Sequence, residues 1–131
     1  MTQLQQQVWT TDSGLSLDMV KDVEVSSGIL WVATEEGLDK FDGLRMQNVD
    51  LSRQGTSPFF EDLVPHPDSK QVFAASYYHG ILVIDAEGAW SVLPDSPRAI
   101  KALAISPEGL LVAGKRQGGV QVLPVKRYDE G

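Results

Sequence analysis

Apolar positions in this chain fall into short runs of strand length, separated by turn residues. The clearest stretch is 28–43. It holds an apolar, aromatic-centred run, Ile29-Leu30-Trp31-Val32-Ala33-Thr34, then a polar loop at Glu35 and Glu36. A second run opens after Gly37 and ends on an Asp42-Gly43 turn. Upstream, Val20-Lys21-Asp22-Val23-Glu24-Val25 alternates apolar and charged residues, as a strand does when one face is more buried than the other. Downstream, residues 44–49 read as a fourth, more polar strand. Short turns joining four strands of decreasing apolarity predict one antiparallel meander.

The pattern returns twice in degraded form. Strand-like runs at 60–64, 72–76, 80–85 and 89–93 make a second unit, and runs at 100–105, 110–114 and 119–123 make a third. Val20-Lys21, Phe60-Glu61 and Ile100-Lys101 open the units at intervals of 40 residues, and Gly37, Gly80 and Gly119 begin the third runs. Four strands per unit at a period of about 40 predict the blades of an all-β propeller. The blades span about 18–50, 58–94 and 98–131 of a single domain, 1–131. The second and third runs are almost continuously apolar, as expected where neighbouring blades cover both faces of a sheet. A sandwich of twelve short strands would not produce the repeat.

Gly14-Leu15, Val20, Gly28, Leu30-Trp31-Val32-Ala33-Thr34, Gly37-Leu38 and Phe41-Asp42-Gly43 resemble the repeat of the two-component regulator propellers. That pattern has a Gly-Leu-Pro opening, a Gly-Asn-Leu-Trp-Ile-Gly-Thr strand and a Gly-Leu-Tyr-Arg-Phe-Asp-Gly close. The likeness is good over 8–43 and fair over 80–88. It departs from the pattern at Ala33, which stands for a glycine, in the absence of the proline after Leu15, and in later units without the tryptophan. The resemblance implies a sensory, ligand-binding part of a larger bacterial signalling protein, outside the inner membrane.

Three blades leave two apolar blade faces uncovered, more than a soluble monomer tolerates. The run 5–11, centred on Val8 and Trp9, lies by repeat register where the outer strand of a preceding blade belongs. The third unit runs out near Tyr128, although 123–128 would also serve as its own fourth strand. These features predict a six-bladed ring closed by homodimerisation, the N-terminal strand of each copy completing the third blade of the other. A chain cut from a longer propeller is the alternative.

The chain of 131 residues carries a net charge of −7 and no cysteine. Residues 1–97 hold 5 basic and 15 acidic groups and residues 98–131 hold 6 and 3, so an acidic part precedes a basic one. The overall acidity argues against a nucleic-acid partner. The absence of cysteine excludes disulfides and thiolate metal sites. No apolar run reaches the roughly 18 residues of a membrane span, so no membrane insertion is expected. Residues 1–7 lack the basic start and apolar core of a signal peptide. The expected compartment is therefore the cytoplasm if Met1 is the native start, and the periplasm if the chain is cut from a sensor.

Loops joining second to third strands in a propeller cluster at one mouth of the channel. Here they offer Glu35 and Glu36; Tyr77, Tyr78 and His79; and Lys115 and Arg116. Aromatic and cationic groups side by side suit a polar organic ligand or a partner's carboxylates. Lys21, Asp22, Glu61, Asp62 and Lys101, on first strands, are expected to line the channel. Trp31, mid-strand, reads as core, and His66, beside Pro67, as a turn residue. His66 and His79 have no metal-ligand spacing, and no nucleophile elbow, Walker loop or dinucleotide fingerprint occurs. The expectation is a non-catalytic binding or sensor module without cofactor or metal. The alternative, a propeller-fold hydrolase or lyase, would need acids and histidines converging at the mouth.

Overall fold

The computed structural model describes residues 7–17, 19–52 and 59–124. Its described residues form three antiparallel sheets, preceded by a short 3-10 turn at Thr11–Ser13. Sheet one runs in the order β1 (Val20–Ser26), β2 (Ile29–Thr34), β3 (Leu38–Phe41), β4 (Met46–Asn48). Sheet two repeats it with β5 (Phe60–Pro65), β6 (Val72–Ser76), β7 (Gly80–Ile84) and β8 (Trp90–Val92). Sheet three has β9 (Ile100–Ile105), β10 (Leu110–Lys115) and β11 (Val120–Pro124). First strands begin at Val20, Phe60 and Ile100, the positions the 40-residue period marks. The first strands also lie side by side, β5 touching both β1 and β9, as in a propeller-like arc.

The sheets stack through alternating side chains. Val72, Ala74, Leu82 and Ile84 leave one face of sheet two and pack with Trp31, Ala33, Leu38, Phe60 and Leu63. Phe73, Ala75, Ile81 and Val83 leave the other and pack with Ile100, Leu103, Leu111 and Ala113. Every residue of β6 and β7 is buried, which explains why those runs do not alternate in the sequence. Burying one such large side chain contributes about 1.5–3 kcal/mol. Small residues sit where the backbone is crowded: a Cβ on Gly80 would lie 2.5 Å from Ser96 Oγ, and one on Gly37 3.0 Å from Ser16.

Within the single chain the N-terminal segment lies against sheet one. Residues 7–11 of the expected 5–11 strand join no sheet of their own chain, and residues 5 and 6 lie outside the described residues. Trp9 stacks on Phe41 with ring centroids 5.0 Å apart, and Leu15 is buried. Ser16 donates to Asp39 Oδ2 from both its N–H (3.0 Å) and its hydroxyl (2.9 Å). Asn48 Nδ2 donates to Asp39 Oδ1 (2.5 Å) and to the Gly14 carbonyl (2.9 Å). Asp39 is fully buried, so these donors are what makes its burial tolerable.

Sheet three shows three strands rather than four among the described residues. The outer side of β11 lines, with Leu93, Pro94 and Asp95, a groove of about 440 Å³. Residues 125–131, and with them the candidate fourth strand at 123–128 beyond Pro124, lie outside the described residues. The expected 44–49 strand shortens to Met46–Asn48 because Asp42 Oδ1 accepts from the N–H groups of Leu44 (2.9 Å) and Arg45 (3.3 Å), holding the turn open.

Trp31 is fully buried, and its Nε1–H has no hydrogen-bond partner among the described residues. Urea unfolding should show Trp31→Ala losing about 3–5 kcal/mol. Trp31→Phe should lose far less, since it removes an unsatisfied donor together with part of the ring. Asp39→Ala, which strands the Ser16 and Asn48 donors, should cost about 2–3 kcal/mol. It should also strip hydrogen-exchange protection selectively from Leu15 and Ser16.

Candidate functional site

Each first strand carries a bulge at the same register, where β1 pairs with β2, β5 with β6 and β9 with β10. A bulge re-aims the extra residue out of the ladder. The extra residues are Lys21, Glu61 and Lys101, and the three bulges bring them together across the arc. Glu61 Oε1 lies 3.2 Å from Lys21 Nζ, and Oε2 pairs with Lys101 Nζ. The Glu61 side chain is only 3% exposed, against 30% for Lys21 and 53% for Lys101. Burial pushes the Glu61 carboxyl up, but the Lys101 and Lys21 ammonium groups outweigh it and hold the acid below its ordinary value.

The next residue along repeats a second device. Asp22 Oδ2 accepts from Leu63 N–H on the following sheet at 2.8 Å, and Asp62 Oδ2 accepts from Leu103 N–H at 2.8 Å. Each carboxylate also caps the N–H after it, Val23 at 2.9 Å and Leu63 at 2.9 Å. These bonds tie one inner strand to the next without a β-ladder. Burial and then the neighbouring Asp22 carboxyl raise Asp62 from 3.8 to about 6, while the Leu103 and Leu63 N–H groups pull it back. Glu24, further along β1, is raised by burial and by Asp22.

Loop backbones make a parallel set of links at one end of the strands. Phe59 N–H donates to the Glu35 carbonyl (3.1 Å) and Ala99 N–H to the Tyr77 carbonyl (2.9 Å), each joining one sheet to the next. Tyr77 N–H donates to Phe59 (2.9 Å) and Arg116 N–H to Ala99 (2.8 Å). Phe59 and Ala99 both take left-handed backbone conformations, φ 38 and 57, unusual for residues with a Cβ. Side chains then collect: Phe59 lies 5.8 Å from Tyr77 and 6.1 Å from Tyr78, and the two tyrosine rings are 5.0 Å apart. Arg116 Nη1 donates to Tyr77 Oη (2.9 Å), and Lys21 Nζ stands 6.0 Å from the Phe59 ring centre.

Of the expected loop residues, the structure joins Tyr77, Tyr78 and Arg116 in one cluster, with Glu35 entering through its carbonyl. Lys115 turns away, its Nζ 3.4 Å from Gln121 Oε1. Glu36 is exposed, its N–H on Thr34 Oγ1 (3.1 Å), and His79 N–H donates to Ser76 (3.3 Å). Lys21, Asp22, Glu61, Asp62 and Lys101 stand together, and Lys21 with Phe59 connects them to the aromatic loops. Phe59 was not singled out from the sequence; the only available signal was an aromatic residue directly before a first strand. His66 sits in its turn as expected, Nδ1 accepting from Asp68 N–H at 3.0 Å. No group of three or more metal-ligating side chains occurs among the described residues.

No family model and no curated protein sequence matches this chain. A solved structure does: the extracellular domain of a protein described as a hybrid two-component system from B. thetaiotaomicron. It has a TM-score of 0.76 and 23% sequence identity over 91% of this chain. The chain spans 19% of that structure's length. The likeness establishes a shared all-β fold.

The Asp62 value near 6 has a measurable consequence. A folded-state value above the unfolded 3.8 means that the native state holds an extra proton between about pH 4 and 6. The stability it contributes is present below pH 4 and disappears as pH rises through 6. After discounting for partial solvent screening, the change is about 1–2 kcal/mol. Asp62→Asn should flatten this part of the stability–pH curve in urea titrations at pH 4, 5, 6 and 7.

Proposed function

We propose that the chain is a non-catalytic, sensor-like binding module of propeller type, taking a polar organic ligand that bears a carboxylate. The observation that carries this reading is the convergence of Phe59, Tyr77 and Tyr78 with Arg116 and Lys21 at one end of the inner strands. Ring faces stack on a sugar or planar body, and the guanidinium engages a carboxylate through paired N–H donors. Shared fold with an extracellular domain of a two-component system supports the sensor-like part of the reading. Loops that differ between repeats on a constant frame are where such specificity is placed.

A thermal-shift screen over neutral sugars, their acid forms, short dicarboxylates and divalent ions tests it. At a hundredfold excess over Kd, a ligand of the native state adds about 2.7 kcal/mol, several degrees for a chain of this size. The acid forms should raise the midpoint where neutral sugars do not. Arg116→Ala and Tyr78→Ala, both at exposed positions, should abolish the shift and leave the unliganded midpoint within a degree or so. A screen in which no organic acid shifts the wild type, or in which both variants respond like wild type, removes the reading.

A further inference from the structure

The outward face of sheet one is the same surface that sheets two and three keep dry. Val20 is 41% exposed, while its counterparts Phe60 and Ile100 are both 0%. Val23 is 53% exposed, against 1% for Leu63 and 9% for Leu103. Those counterparts are covered by the preceding sheet, and Leu63 and Leu103 have their N–H groups held by that sheet's aspartate. Val23 N–H has Asp22 Oδ1 of its own residue pair, and the second carboxylate that Leu63 receives from Asp22 has no equivalent on it among the described residues.

We infer that this face docks a propeller blade whose inner strand carries aspartate at the register of Asp22 and Asp62, preceded by an acidic residue as in Glu61-Asp62. Such a blade would not be the third sheet of a second copy. At the required register that sheet carries Ala102, which has no carboxylate to offer Val23. One residue earlier it carries Lys101, so self-pairing would set Lys101 beside the twin's Lys21 where the chain elsewhere sets lysine beside glutamate. An acid at that position would continue the alternation Lys21, Glu61, Lys101, and an aspartate after it would continue the ties from Asp22 to Leu63 and Asp62 to Leu103. The twin closure expected from the sequence therefore lacks both devices that join the sheets within the chain.

Giving the third sheet the missing carboxylate tests this. Ala102 is exposed, so Ala102→Asp should fold and should self-associate head to tail, as a ring or a short filament, when it and every reference protein below carry Lys101→Gln, which removes the lysine otherwise set beside the twin's Lys21. In sedimentation equilibrium it should do so at least about tenfold more tightly than wild type, the effect of one charge-assisted hydrogen bond. Ala102→Leu, which adds apolar area without an acceptor, should behave as wild type. Val23→Pro, which removes the outward N–H, should reverse the gain in the Ala102→Asp background. If Ala102→Asp fails to fold by circular dichroism, Ala102→Asn supplies the same acceptor oxygen and is read by the same criterion. The inference is overturned if the folded acceptor variant associates no better than wild type, if Ala102→Leu matches it, or if wild type is already a dimer of equal affinity. Ligand binding at the aromatic loops is a separate readout, so failure of one reading leaves the other distinguishable.

Discussion

A β-sheet that is apolar on both sides is stable only between two other sheets, and sheet two is such a sheet. The side chains of β6 and β7 alternate between the Trp31 cluster and the Ile100 cluster with none left to water. Removing either neighbour would expose a continuous hydrophobic surface. The order of the chain, the face-to-face stacking and the adjacency of the three inner strands follow from satisfying that one sheet. The outer sheets meet the same demand on one side only, which is why Val20 and Val23 stand open where Phe60 and Leu63 are closed.

Repetition turns a local irregularity into a collective feature. One bulge on an inner strand re-aims one residue; the same bulge in three adjacent strands aligns Lys21, Glu61 and Lys101 into an ion-paired row. The buried Glu61 is tolerated because a lysine stands on each side of it, and Lys21 of the row stands 6.0 Å from the Phe59 ring centre. Asp22 and Asp62 use the following position to lace the strands together through backbone N–H groups. Structural ties and candidate binding groups thus alternate residue by residue along one strand.

The N-terminal segment reaches an arrangement that strand propensity alone does not choose. Val8 and Trp9 suit a strand, but Trp9 stacks on Phe41 and Ser16 seals a buried carboxylate at Asp39. Ser16 crowds Gly37 much as Ser96 crowds Gly80, so a segment before one sheet fills on sheet one the place that the link after β8 fills on sheet two. A buried aspartate with three donors holds the segment against sheet one within the chain.

How much was legible follows from the range of each interaction. Strand starts at Val20, Phe60 and Ile100, the buried place of Trp31 and the turn role of His66 could be read directly. Each rests on local alternation, turn residues or the 40-residue period, which are properties of neighbouring positions in the chain. Phe59 in the aromatic cluster, the turning away of Lys115, the Tyr77–Arg116 pair and the anchoring role of Asp39 could not. They join residues about 20 to 40 positions apart or depend on rotamers chosen after the sheets had packed. The sequence by itself determined which strands form and in what order they repeat, because hydrophobic periodicity is written position by position. Only the tertiary structure decided which carboxylate meets which amide and which sheet face is left uncovered, because those depend on distances that exist only once the sheets have stacked.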